Sequence, residues 1–459
     1  MAAPILFKGS DTGANRLSGT AGDLLAVLDQ CLIINKLFTA VSGASFVDNT
    51  AEARLEGGTT FKLFQGPTVT VDEAYFGLQA KFGRVKLNFG TLGVQGSAVT
   101  LAWEYWNGTA WTALSGVTDG TSGLTAHGTV TWTIPGNWVA NAVNSVTLLW
   151  VRLRFTAGTW TTNPLANYAT ITGWTQPFTP AGNVCDYKQG GGNGFYLDVN
   201  DNGPGSGGAR EARIVGCETM SGLGRASGTN LFPTASQSAN GLFVRKSTTL
   251  DTTNRTWVLI ADDRTFYFFN ISGDTLTPAS SYFAWGFGDL FSLVSGDGYR
   301  TMILGRNVEN ITTATPEIAA VTQSAFNTAS GTVPAQVVAR PYTGVVGAVT
   351  ILKVGGLTSF LAVQTTATQY TVSNLANPNP ADGGYYVGPF WIEDGNSGSV
   401  RGRFRGWWHL GSFSGDGNTF SGVGSLNGKT FHIIHPIANG GNLNCAFVLE
   451  TSDTWETSS

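Results

Sequence analysis

Trp103-Glu104-Tyr105-Trp106-Asn107-Gly108-Thr109-Ala110-Trp111 is the stretch that decides the fold. Two aromatic segments flank Asn107-Gly108, a pair that tolerates the positive φ angles of a type I′ turn, so the stretch predicts a β-hairpin. On either side the same texture continues from about residue 44 to 172, as short alternating segments separated by Gly, Asn and Thr. Predicted strands are Ala74–Leu78, Arg84–Phe89, Val99–Trp106, Thr109–Leu114, Gly128–Thr133 and Ser145–Phe155. That spacing is the pattern of an immunoglobulin-like β-sandwich. In Leu148–Phe155 the period of two puts Trp150, Arg152 and Arg154 on one face, and Leu149, Val151, Leu153 and Phe155 on the other. One face is expected to be core and the other wetted.

Composition supports a β-rich chain. Among 459 residues there are 61 glycines and 14 tryptophans, and only 12% are charged, about half the usual share. The length predicts about two to four domains. A surface with few ions repels its own copies weakly, so much of it is expected to be covered by neighbours. The net charge of −4 supplies no basic footprint for nucleic acid. Neither a basic start followed by an apolar core nor a run of about eighteen apolar residues occurs, so no signal peptide and no membrane span is predicted. Cys31, Cys185, Cys217 and Cys445 lack zinc-site spacing and disulfide density, and are read as reduced thiols.

The best helix lies at the start, where Thr20 and Asp23 are spaced as a capping box ahead of Leu24, Val27, Leu28, Cys31 and Leu32. After residue 172, strand-like Gly194–Val199 and Trp257–Asn270 alternate with loops, and a short helix is predicted over Pro316–Phe326. The predicted architecture is mainly β, all-β to α+β, and multi-domain. A discontinuous α+β body (1–43 plus 173–343) receives the sandwich (44–172) as an insertion and is followed by a C-terminal β-domain (344–459). Insertion into a surface loop is cheap when its two ends lie close together.

Candidate chemistry is sparse. No histidine accompanies a Ser or Cys nucleophile motif, and His432 and His435, three apart in a strand, face opposite ways. Asp198-Val199-Asn200-Asp201-Asn202-Gly203 imitates the first half of a calcium loop, but position twelve is Ala209, so a hairpin turn is preferred and no metal site is predicted. Asp262 and Asp263 are adjacent and point oppositely, while Asp289 and Asp297 lie in turns where Asp bonds its own backbone. No catalytic residue, enzyme activity or cofactor is predicted. Trp103, Trp106 and Trp111 are either core packing or a platform for a glycan, since aromatic faces serve both. Arg401, Arg403 and Arg405, leading into Trp407, put three cations on one strand face, read as an intersubunit or salt-bridged face.

The hairpin motif, with Leu114, Asp119-Gly120-Thr121, Trp132, Trp138 and Trp150-Val151-Arg152-Leu153-Arg154, resembles a sandwich module of phage baseplate and tail proteins. Phe7-Lys8-Gly9-Ser10-Asp11-Thr12-Gly13, Gly194-Phe195-Tyr196-Leu197, Phe287-Gly288-Asp289 and Ser295-Gly296-Asp297-Gly298-Tyr299 resemble virion proteins of tailed bacteriophages. In such relatives the region near Gly43 runs almost directly into Gly173-Trp174-Thr175-Gln176-Pro177-Phe178, so this chain departs by holding the sandwich between them. The resemblance implies a homo-oligomeric structural subunit of the tail, baseplate or tail fibre, placed on the virion surface, assembled in the host cytoplasm and partnered by other virion proteins. Head decoration, or a receptor-binding module that holds host surface glycan, is the alternative.

Overall fold

The computed structural model describes residues 3–41, 43–68, 72–203, 208–236, 238, 240–271, 282–306, 335–345, 350–355, 387–394, 400–410, 417–434, 446–452 and 454–458. Strands hold 50% of the chain and helices 7%, so it is mainly β, with several antiparallel sheets. The segment Pro316–Phe326 lies outside the described residues.

Helix Asp23–Leu32 buries Leu24, Val27, Leu28, Cys31 and Leu32, as its spacing predicts. Its N-terminus is not held by a capping box. Gly22 precedes it at φ 90°, without a side-chain cap, and Asp23 turns away to Ser18 and Arg16. The cap comes from far along the chain, where the Asp201 carboxylate accepts the Leu24 N–H at 2.9 Å. A helix start leaves unpaired N–H groups at its positive end, so a carboxylate is favoured there. Asp201 is fully buried, and the equally buried Lys246 ammonium pairs with it while donating to the Thr20 carbonyl at 2.8 Å.

Two sheets form the sandwich. One runs Ala44–Asp48, Lys36–Val41, Asp72–Leu78, Val146–Thr162, Val94–Trp106, Trp111–Ala113, with Asn141–Val143 also paired to Val146–Thr162. The other runs Phe61–Lys62, Leu165–Thr170, Arg84–Thr91, Gly128–Thr131, Thr118–Asp119. Between them Trp103 stacks on Phe76 at 5.9 Å and on Trp132 at 6.0 Å, and Phe82 packs on Trp138 at 5.0 Å. The aromatic hairpin forms, but not with a type I′ turn. Trp106 pairs with Trp111 across four loop residues, and the Asn107 side-chain oxygen accepts the N–H groups of Thr109 and Ala110, both at 2.9 Å. An Asn that can bond the backbone ahead of it supports this wider loop without needing positive φ itself.

The seam of the insertion lies earlier than residue 43. Lys36–Val41 is an interior strand of the first sheet, so a cut at 43/44 would divide its hairpin with Ala44–Asp48. The two crossings of the chain meet where the Ile171 N–H donates to the Ile33 carbonyl at 3.0 Å and the Thr172 hydroxyl donates to the Leu32 carbonyl. Leu32, Ile33, Ile34, Ile171 and Trp174 belong to one apolar cluster that continues from the sandwich interior into the body.

Outside the sandwich a third, longer sheet carries Ile5–Lys8 on Trp257–Ala261, which turns back through Asp262 into Thr265–Ile271. The strand-like stretch Trp257–Asn270 is a hairpin, because the Asp262 carboxylate accepts the N–H groups of Arg264 and Thr265 and fixes a turn. The strands after residue 344 bury a small cluster of their own, Trp408, Leu410, Phe431, Ile433 and Val448, and also share a larger core with the body. Ala335–Ala339 pairs with Thr350–Gly355, and Tyr267 of the body packs on Trp407 at 5.1 Å and on Trp455 at 5.8 Å. Replacing Trp455, which is 1% exposed, with Ala should remove about 3 to 5 kcal/mol of stability. Chemical denaturation of W455A should show the loss as one transition; a separate early transition confined to the C-terminal strands would contradict the shared core.

Candidate functional site

The outward face of the seven-stranded sheet carries the richest constellation in the described chain. Alternation along Val146–Thr162 sends Leu153 and Phe155 inward and Trp150, Arg152 and Arg154 outward, as the sequence implies. The outward face is nevertheless only partly wetted. Trp150 is wholly buried, stacked on Phe38 at 5.4 Å, with Tyr75 edge-on at 6.3 Å and its indole N–H on the Asn141 carbonyl at 3.0 Å. Gly77 sits opposite it in register, and a Cβ there would stand 2.5 Å from the Trp150 ring, so only glycine admits the indole.

Next to Trp150, register brings four charges together. Arg152 faces Tyr75 on one side and Glu104 on the other, so its guanidinium reaches Glu73 at 2.9 Å and Glu104 at 2.6 Å. Arg154 holds Glu104 with two hydrogen bonds, of 2.9 and 2.6 Å. Charge-assisted bidentate pairs of this kind are the strong ones, and they fix both side chains. Two arginines and two glutamates leave the group neutral. The Tyr75 hydroxyl donates to Glu73, and burial followed by that carboxylate pushes the phenol well above its ordinary range, so it stays protonated.

An open cleft of about 480 Å³ lies over this group, walled by Phe46, Tyr75 and Trp111 and floored by Glu73 and Arg152. The Arg152 guanidinium lies 4.5 Å from the Trp111 ring centre, while Tyr75 and Trp106 meet Trp111 edge-on at 5.6 and 5.7 Å. Asn141–Asn144 forms the rim. Its turn joins Val143 to Val146 through Asn144 and Ser145 at φ 47° and 65°, two consecutive non-glycine residues in the left-handed region.

Of the three tryptophans singled out by sequence, the structure puts only Trp111 in the cleft. Trp103 is 6% exposed in the sandwich interior, and Trp106 is half-buried behind Trp111. Sequence reading missed Glu73, Tyr75 and Asn144 as cleft residues. The signal was the pair Arg152 and Arg154 on a face with tryptophan, which demanded carboxylates on neighbouring strands.

No family model and no curated protein matches this sequence. Arg401, Arg405 and Trp407 do not offer an interface surface, because all three are buried within the chain. Arg401 is held by Asp297 at 2.9 Å, Arg405 by Asp262 at 2.6 Å, and Trp407 stacks on Phe404 at 4.9 Å. Arg403 is the more open member, bonded to Glu456 and lying over the rings of Phe291 and Trp408. The strand face is salt-bridged internally, the other reading its alternation allowed. The same pairs account for Asp262 and Asp297, and Asp289 binds Arg300 at 3.0 Å. Among the described residues no group of three or more His, Cys, Asp or Glu is placed to hold a metal. His432 is buried and desolvation lowers its pKa to about 4; His435 and Cys445 lie outside the described residues.

The calcium-like turn is put to other uses. Asp201 caps the helix, the Asn200 side chain accepts the Asn202 N–H at 3.2 Å, and Asp198 faces Asp186 across paired strands. Burial is the main reason both acids are raised, and the neighbouring Asp186 carboxyl helps push Asp198 from 3.8 to about 8. Between pH about 4 and 8 the folded chain thus keeps a proton that the unfolded chain has released, so this acid makes stability fall as pH rises through that window. Asp198→Asn should remove that part of the decline and raise the Tm relative to wild type at pH 8 to 9. Thermal melts from pH 5 to 9 test it, and an unchanged slope in the variant would refute the shared-proton pair.

Proposed function

We propose that this chain is a structural subunit of a tailed-bacteriophage virion, in the tail, baseplate or tail-fibre apparatus, working by protein–protein assembly rather than by catalysis. The observation that carries the reading is where the few charges go. Lys246, Arg255, Arg340, Arg401 and Arg405 are each at most 2% exposed and are held by Asp201, Asp251, Glu218, Asp297 and Asp262. Cations neutralised inside the fold add nothing to surface repulsion, while Leu250, Leu293, Val345 and Val423 are more than half exposed. A surface of that kind suits permanent neighbours, and obligate interfaces of about 2,000 to 5,000 Å² are the class that would cover it.

The sequence resemblances in Trp103–Trp111 and in Ser295–Tyr299 point the same way. A host-glycan receptor-binding role is the second reading, favoured by the cleft at Trp111. Light scattering on the eluted full-length protein should give a homo-oligomer, and mass spectrometry of purified particles should find the chain among their components. A stable monomer that is also absent from the particles would overturn the assignment.

A further inference from the structure

We infer that the cleft over the Glu73–Tyr75–Arg152 group is a binding site for a neutral saccharide, with Trp111 as its aromatic wall and Asn144 as a hydrogen-bonding group on its rim. The inference is independent of where in a particle the chain sits, and it stands on four features of the cleft.

The first is size and lining. About 480 Å³ falls within the range of small-ligand sites, about 300 to 1,000 Å³, and holds a mono- or disaccharide. A pyranose ring has an apolar face of C–H groups and an edge of hydroxyls, so it needs an aromatic surface beside mixed donors and acceptors. Trp111, Tyr75 and Phe46 provide the first, and Glu73, Arg152 and Asn144 the second.

The second is charge. Arg152 and Arg154 are already satisfied by Glu73 and Glu104, so the site offers no unpaired cation to an acidic sugar. An anion entering it would meet two carboxylates and would have to displace one of them. A neutral diol can instead donate to Glu73 and accept from Arg152 without breaking either pair, since a carboxylate oxygen has more than one lone pair and a guanidinium has five N–H donors.

The third is preorganisation. Trp111 is half-buried and fixed by a guanidinium against its ring and by two aromatic edges, so little rotamer freedom is lost when a ring lies against it. Packing that serves only a core leaves no open cleft beside the indole.

The fourth is the rim. Asn144 is exposed, and its side chain makes no hydrogen bond within the described residues. It stands at a φ of 47°, which glycine would adopt without strain, in a two-residue turn shared with Ser145. The turn thus holds an unengaged carboxamide at the mouth of the cleft, in a conformation fixed by the strand pair Asn141–Val143 and Val146–Thr162.

The test uses the full chain with two sets of probes: glucose, galactose, mannose, N-acetylglucosamine and their common disaccharides, against glucuronic acid and N-acetylneuraminic acid. Saturation-transfer NMR detects contact, and tryptophan fluorescence titration measures affinity. At least one neutral sugar should bind saturably and more tightly than either acid. Trp111→Ala should weaken it by about tenfold or more, the effect of losing a contact residue that matters. Because Trp111→Ala also disturbs packing, Asn144→Gly is the second variant: it suits the left-handed backbone, should leave the Tm unchanged or higher, and should still weaken binding by about threefold or more. Absence of saturable binding by every neutral sugar, tighter binding of an acid, or affinity unaffected by Asn144→Gly would each overturn the proposal. None of these results bears on the oligomer or particle measurements.

Discussion

A charge taken out of water needs its counter-charge in place, and in this chain that requirement joins segments that lie far apart in sequence. Asp201 meets Lys246 beneath the helix, Asp262 meets Arg405, and Asp297 meets Arg401, every partner at most 2% exposed on its side chain. Removing one member would strand the other in an apolar interior, a loss of about 3 to 5 kcal/mol, whereas the intact pair contributes little net stability. These pairs act by excluding alternatives. A C-terminal strand that slipped by one residue would turn Arg401 and Arg405 to the opposite face and leave Asp297 and Asp262 buried alone. The quartet of Glu73, Glu104, Arg152 and Arg154 applies the same rule on the sandwich, and at Asp186 and Asp198 the neighbour is a second acid and a proton takes part of the cation's role.

Local pattern was enough to find the elements. The apolar spacing of Leu24 to Leu32 located the helix, and a period of two located most strands of the sandwich, because burying one face of a strand leaves its alternation in the sequence. The ends were less legible. Val94–Trp106 and Val146–Thr162 run well past their predicted limits, through Gly- and Thr-rich stretches that read as loops but pair with each other across a series of register shifts. Glycine is depleted in strands, and threonine's preference for them depends on its neighbours, so pairing decided those residues.

Cleft residues and seams were hidden for another reason. Alternation says which face a side chain takes, but not which strand lies beside it. Glu73 and Arg152 meet across 79 residues, and Asp201 reaches Leu24 across 177, through register that no local window contains. Trp111 could be singled out because tryptophan is informative wherever it stands, whereas Tyr75 looked like one more aromatic in a strand. The seam at 43/44 was misplaced because Lys36–Val41 is as apolar as the helix before it. Only its pairing with Asp72–Leu78 shows that it belongs to the sandwich.

The way the sandwich is attached also affects how its cleft would work. A module on a flexible linker samples many orientations, and binding at its tip must restrict them. Here the two crossings are hydrogen-bonded at Ile33 and Ile171, Arg84 of the sandwich donates to the Ile171 carbonyl at 2.8 Å, and the apolar cluster passes through the junction without a break. Continuity of packed side chains makes the sandwich a rigid extension of the body. A ligand held at Trp111 would therefore be held in a fixed relation to the long sheet and to whatever that sheet packs against. In a symmetric assembly, identical clefts would stand at fixed separations, so weak single-site affinity could become strong attachment to a repeating surface with no new contact.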